Sequence, residues 1–156
     1  MHKVGDFVVY KKDVCKINDI KDNSYYVLSP IDDETLKITI NISNNLIRDL
    51  ITKDECEDLI KSIPNIDIIK VPDKNIENEY KKLLSSGDLK DLVKIIKTTY
   101  LRNENRLSSH KKIGEKDDSY FKKAEKLLYN ELSISLGFTF EETKKYINDK
   151  VESLIK

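Results

Sequence analysis

The apolar residues of this chain change period once, near Thr52, and that change separates what can fold as sheet from what can fold as helix. Before it they alternate in short segments rich in β-branched and aromatic residues: "FVVY" (Phe7–Tyr10), "VCKINDI" (Val14–Ile20), "YYVLS" (Tyr25–Ser29) and "TLKITINI" (Thr35–Ile42). In the last, Leu36, Ile38, Ile40 and Ile42 share one face and Lys37, Thr39 and Asn41 the other, the period of a half-buried strand. "KDN" (Lys21–Asn23) and "PIDDE" (Pro30–Glu34) supply turns. Four or five short antiparallel strands of this kind are expected to close into a small barrel, which hides their edges.

After Thr52 the spacing is helical. "TKDE" (Thr52–Glu55) is a capping box ahead of a helix that stops at Pro64. Asp73 is placed to cap a helix running toward Gly87, and Asp88 caps the next, with Leu89, Leu92, Val93, Ile96 and Tyr100 as its apolar stripe. A polar link over Arg102–Asp118 is expected before a long helix over about 119–136, with Phe121, Ala124, Leu127, Leu128 and Leu132 turned inward. Gly137 suits its left-handed end. A second capping box, "TFEE" (Thr139–Glu142), opens a last helix whose inward face is Tyr146, Ile147, Val151 and Leu154. The fold class expected is α+β: a small antiparallel β barrel in 1–50, a connecting helix and linker in 51–72, and an all-α bundle in 73–156.

Composition narrows the function more than it defines it. Of 156 residues, 36% are charged and 38% hydrophobic, and the net charge is zero. Residues 1–70 hold ten Lys/Arg against thirteen Asp/Glu, and residues 71–156 hold eighteen against fifteen. A slightly acidic front and slightly basic back allow only a few local phosphate contacts. No apolar run is long enough to span a bilayer, and the first residues lack the pattern of a signal peptide. With two distant cysteines, Cys15 and Cys56, reduced thiols and a cytoplasmic location are expected. His2 and His110 are the only histidines, and no phosphate-binding glycine motif occurs among four glycines. The expectation is a protein that is not an enzyme and needs no cofactor or metal. Lys97, Arg102, Arg106, Lys111, Lys112 and Lys116 form the one basic group of interest, at a helix end and the link after it.

The order of segments resembles the CarD/CdnL family of bacterial transcription regulators, whose front module is shared with the transcription-repair coupling factor. "VGDFVVY" (Val4–Tyr10) is similar to the family's opening strand, and "KITINISNNLIRDL" (Lys37–Leu50) to the strand and segment that end in a characteristic arginine, here Arg48. "SSGDLKDLVKIIKTTYLRNENR" (Ser85–Arg106), "KKIGEKDDSYFKKAEKLLYNEL" (Lys111–Leu132) and "LGFTFEE" (Leu136–Glu142) resemble its helical part. The resemblance implies a Tudor-like barrel that docks on the RNA polymerase β subunit, partly by strand-edge pairing, with Lys37, Thr39 and Arg48 at the contact. It also implies a helical domain that touches promoter DNA at the upstream edge of the bubble without reading sequence. Lys81, Lys97, Arg102, Arg106 and Lys116 fall where the family places basic residues. Ile76 falls where relatives carry a tryptophan wedge, and this chain has no tryptophan. A monomer that modulates open-complex stability is the reading these matches favour. The alternative is a polymerase-binding adaptor whose helical domain recruits a protein, suggested by the neutral charge, Glu79 and the missing tryptophan.

Overall fold

The computed structural model describes residues 2–155, with side chains through Lys150. The chain divides into two compact units, Met1–Leu50 and Ile51–Lys156, which correspond to the two apolar periods.

The first unit is one antiparallel sheet of five strands: β1 (Phe7–Tyr10), β2 (Asp13–Lys21), β3 (Tyr25–Pro30), β4 (Ile38–Asn41) and β5 (Ile47–Asp49). Their order is β4-β3-β2-β1-β5, curled into a half-barrel. The tight β1–β2 turn puts Lys11 at φ 59°, and the β2–β3 turn puts Asp22 and Asn23 at φ 53° and 52°. Asp and Asn tolerate that left-handed geometry better than most residues. Register then sorts the side chains. Val8 lies opposite Cys15, Ile17 opposite Leu28, and Tyr26 opposite Ile40, so these six buried residues form the core of one face. The register slips between Ile17 and Asp19, and there Asn18 turns its amide onto the Ser29 hydroxyl. The full closure expected of a barrel is absent among the described residues. No ladder joins β4 to β5, so the sheet keeps two edges.

The second unit holds five helices: α1 (Lys53–Ser62), α2 (Ile76–Ser85), α3 (Leu89–Ser108), α4 (Glu115–Leu136) and α5 (Phe140–Ile155). Both capping boxes form: the Thr52 and Thr139 hydroxyls accept from Glu55 and Glu142 N–H, and each carboxylate accepts from the cap residue's own N–H. Asp88 accepts from Lys90 N–H at 2.8 Å. Asp73 departs from expectation. It opens a 3-10 turn, Asp73–Asn75, and gives its carboxylate to Arg102 rather than to a helix end. Segment 51–72 contributes Cys56, Leu59 and Ile60 to the same core as Tyr80, Leu92, Val93, Ile95, Leu128 and Leu132. Its entry point is held by two α4 side chains one turn apart. Ile51 N–H donates to the buried Glu131 carboxylate at 2.7 Å, and the Ser135 hydroxyl donates to Ile51 C=O at 2.6 Å.

The link expected over Arg102–Asp118 is mostly helix: α3 continues to Ser108 and α4 begins at Glu115. No Gly or Pro interrupts residues 102–108, and the arginines in that stretch have partners that reward a helical spacing, described below. The buried face of α4 runs through Tyr120, Ala124, Leu128, Leu132 and Leu136, with Phe121 and Leu127 only half-buried at its margins. Ile147 is buried on α5 and Tyr146 packs beside Phe138; Val151 and Leu154 lie outside the side chains described. α4 ends at Gly137, whose φ of 73° lets Phe138 N–H reach Ser133 C=O at 2.9 Å.

A Cβ at that left-handed position costs about 1–2 kcal/mol. Gly137→Ala should lower stability by about that amount, read as a shift in the urea midpoint with an unchanged slope.

Candidate functional site

Two features of the fold carry the residues singled out in the sequence: the free edge at β4, and a buried ionic hub in the helical unit. β4 pairs with β3 on one side only, matching Tyr25 to Asn41, Tyr26 to Ile40, Val27 to Thr39 and Leu28 to Ile38. Just past the strand, Ile42 N–H donates to Ser24 C=O at 3.0 Å. Antiparallel ladders bond every second residue, so Ile40 and Ile38 also direct their backbone groups at β3. Thr39 therefore presents its N–H and C=O outward, and Asn41 its N–H, while Asn41 C=O accepts Asn44 N–H at 3.0 Å in the turn that follows. The Thr39 and Asn41 side chains are exposed, while Ile40 is buried against the core.

Lys37 stands at the start of this edge, its ammonium 3.1 Å from the Ser29 hydroxyl, which also accepts from the Asn18 amide. Lys37 and Thr39 are thus together. Arg48 is not with them: it lies on β5, opposite Val9, at the other edge of the sheet, and donates to Asp49 C=O at 3.1 Å.

In the helical unit the hub is Asp117, third residue of α4 and 2% exposed. Its carboxylate accepts from Tyr80 Oη at 2.8 Å, Arg102 Nε at 2.9 Å and Arg106 Nη1 at 2.6 Å. Arg102 and Arg106 are four residues apart on α3, so one helix face delivers both guanidinium groups. Arg102 also reaches Asp73 at 2.9 Å. Arg106 donates to Asn103 Oδ1, which accepts Gly114 N–H at 2.8 Å and so closes the α3–α4 turn. Gly114 is required by proximity: a Cβ there would lie 2.5 Å from Arg106 Nη1. Burial alone would raise the Asp117 carboxyl. The bonds from Arg106, Arg102 and Tyr80 outweigh that and hold it below the ordinary carboxylate range. Burial, together with the bond to Asp117, pushes the Tyr80 phenol well above its ordinary value.

The residues expected at DNA are therefore placed unevenly. Ile76 is 5% exposed and packs in the core with Tyr80 and Leu83. The Lys97 ammonium donates to the carbonyls of Ile63 and Ile66, closing the 3-10 turn after α1. Arg102 and Arg106 belong to the hub. Lys116 is exposed and lies 3.4 Å from Glu77, and Lys81 is exposed on α2. Sequence reasoning assigned no part to Asp117, Asn103 or Gly114. Two arginines at helical spacing followed by an Asp in the next helix's first turn was the available signal.

Both cysteines are buried; burial and the Asp13 charge push the Cys15 thiol up to about 11, and burial also raises Cys56. Among the described residues no group of three or more His, Cys, Asp or Glu could hold a metal ion, and no helix is long and apolar enough to cross a membrane. No family model and no curated protein matches the chain.

Asp117→Asn leaves two arginines facing a neutral amide and should destabilise the protein by about 3–5 kcal/mol. The pH dependence has a definite sign. Because the folded carboxyl titrates below the unfolded one, Asp117 stabilises the fold fully above about pH 4 and stops doing so as pH falls through its folded value. Stability measured against pH should therefore fall less steeply in acid for Asp117→Asn than for the parent.

Proposed function

We propose that the protein is a transcription regulator similar to the CarD/CdnL family, acting in the cytoplasm, with a Tudor-like sheet unit that docks on the RNA polymerase β subunit. The observation that carries this reading is the unpaired edge of β4. It offers the outward N–H and C=O of Thr39 and the N–H of Asn41, with exposed side chains on one face and a buried core on the other. Strand addition needs such an edge, taking affinity from backbone bonds and selectivity from alternate side chains. Lys37 flanks the edge and adds a cation for an acidic neighbour on the partner strand. Arg48, on the opposite edge, makes a separate contact or none at this surface.

The helical unit would then contact promoter DNA without base readout, through its exposed lysines, Lys81, Lys116, Lys111 and Lys112. Such a small set binds free DNA weakly, and the polymerase anchor supplies the effective concentration that makes it count. One specific observation favours a second reading, in which the helical unit recruits a protein: Lys97, Arg102 and Arg106 are committed to internal partners, and Ile76 is buried.

Thr39→Pro removes the outward N–H while leaving the bonds to β3 in place, since proline is tolerated on edge strands. It should weaken binding to purified RNA polymerase by about tenfold or more, with thermal stability nearly unchanged; unchanged affinity would reject docking at this edge. Lys81→Glu with Lys116→Glu should leave polymerase affinity intact and reduce the protein's effect on open-complex lifetime. A lifetime unaffected by the pair, at low as well as high salt, points to the adaptor.

A further inference from the structure

α3 is twice as long as the helix it turns back from, and its apolar stripe outruns its cover. Twenty residues make α3 about 30 Å long, whereas the ten of α2 span about 15 Å. Val93, Ile96, Tyr100 and Leu107 fall on one line of α3 at intervals of three, four and seven. Val93 is 2% exposed and Ile96 is half-buried, but Tyr100 and Leu107 are 60% and 52% exposed. The chain after α3 adds a third apolar side chain to the bare part. Lys111 N–H donates to Arg106 C=O, and Gly114 N–H to Asn103 Oδ1, so residues 110–114 fold back along the Asn103 side of the helix end. Ile113, in that return, is 45% exposed. His110, Lys111 and Lys112 are exposed in the same five residues and make no ion pair among the described residues. Glu104 is the one acid on this part of the helix line.

The geometry points to a docking site for an acidic amphipathic helix of a partner protein. Its apolar residues would cover Tyr100, Leu107 and Ile113, and its carboxylates would meet His110, Lys111 and Lys112. Spacing and charge favour this occupant over the others. Tyr100 and Leu107 are two turns apart, about 10.5 Å, the separation of anchors seven residues apart on a second helix. Nucleic acid fits less well: one aromatic among three apolar side chains is a poor base-stacking surface. A second copy fits less well again. A two-fold pairing would set Lys111 and Lys112 against their own images, and three exposed apolar side chains are far fewer than the roughly 20–30 residues a side of a standard interface. The inference rests on the protein-recruiting reading of the helical unit and is independent of what binds the β4 edge.

The test uses the full chain and a fluorescent 18-residue helical peptide with Leu at heptad spacing and Glu elsewhere. A Lys-for-Glu version, a scrambled acidic version and duplex and single-stranded DNA of matched length serve as comparisons. The acidic helix should bind saturably and more tightly than the basic and scrambled peptides. Tyr100→Ser with Leu107→Ser should weaken it by about tenfold. Lys111→Glu with Lys112→Glu should weaken it similarly and remove most of its salt dependence. All four substitutions are at exposed positions, so unchanged melting temperatures are expected. No saturable binding of the acidic helix, or equal affinity in both variants, overturns the proposal. So does loss of DNA binding alone, which would make the patch a nucleic-acid surface, or loss of self-association in sedimentation, which would assign it to a second copy. RNA polymerase affinity, measured in the same variants, is expected to stay unchanged; failure of the patch and failure of polymerase docking are thereby read separately.

Discussion

A single carboxylate, Asp117, fixes the way three helices of the second unit meet. A buried anion with no partners would cost several kcal/mol, and here every lone-pair direction that matters is met by Tyr80 from α2 and by Arg102 and Arg106 from α3. Hydrogen bonds are directional where apolar packing is not, so the hub sets the rotation of α3 about its axis as well as its distance from α4. That rotation decides which α3 residues face outward at its far end, and so leaves Tyr100 and Leu107 bare. Arg106 carries the constraint into the turn through Asn103 and the close approach of Gly114.

The same hub redistributes positive charge. In the sequence, Lys97, Arg102 and Arg106 look like a basic surface; in the fold they are structural cations. Each neutralises something the helical unit would otherwise leave unsatisfied: carbonyls at the end of a 3-10 turn, or a buried acid. Of the basic group read from the sequence, what is left outward is Lys111, Lys112 and Lys116 around the α3–α4 turn.

Most of the architecture was legible from residues alone because local rules agreed with one another. Both Thr-x-x-Glu boxes, the Asp88 cap, the Gly137 stop and the alternation of Leu36–Ile42 each have a short-range physical cause, and each appears where it was read, with Leu36 left exposed just ahead of β4. The failures have long-range causes. Asp73 has the composition of a cap but is claimed by Arg102, 29 positions away. Residues 102–108 read as a polar link because their partners, Asp117 and Gly114, lie in a different helix and turn. Ile76 was assigned by position in a resemblance, yet as the first residue of α2 it shares a helix face with Tyr80 and Leu83, and that face is the buried one. The sheet's openness was invisible for a different reason: alternation reports which face is buried and says nothing about whether the outer strands find each other.

That openness also bears on stoichiometry. An edge that accepts a strand from one partner is chemically able to accept one from another copy of the chain, since backbone donors and acceptors carry no identity. β4 limits this by being only four residues long and by the charge of Lys37 beside it. Any copy whose edge is uncovered presents it to other copies, so the tendency of this chain to self-associate is set by how much of that edge is covered.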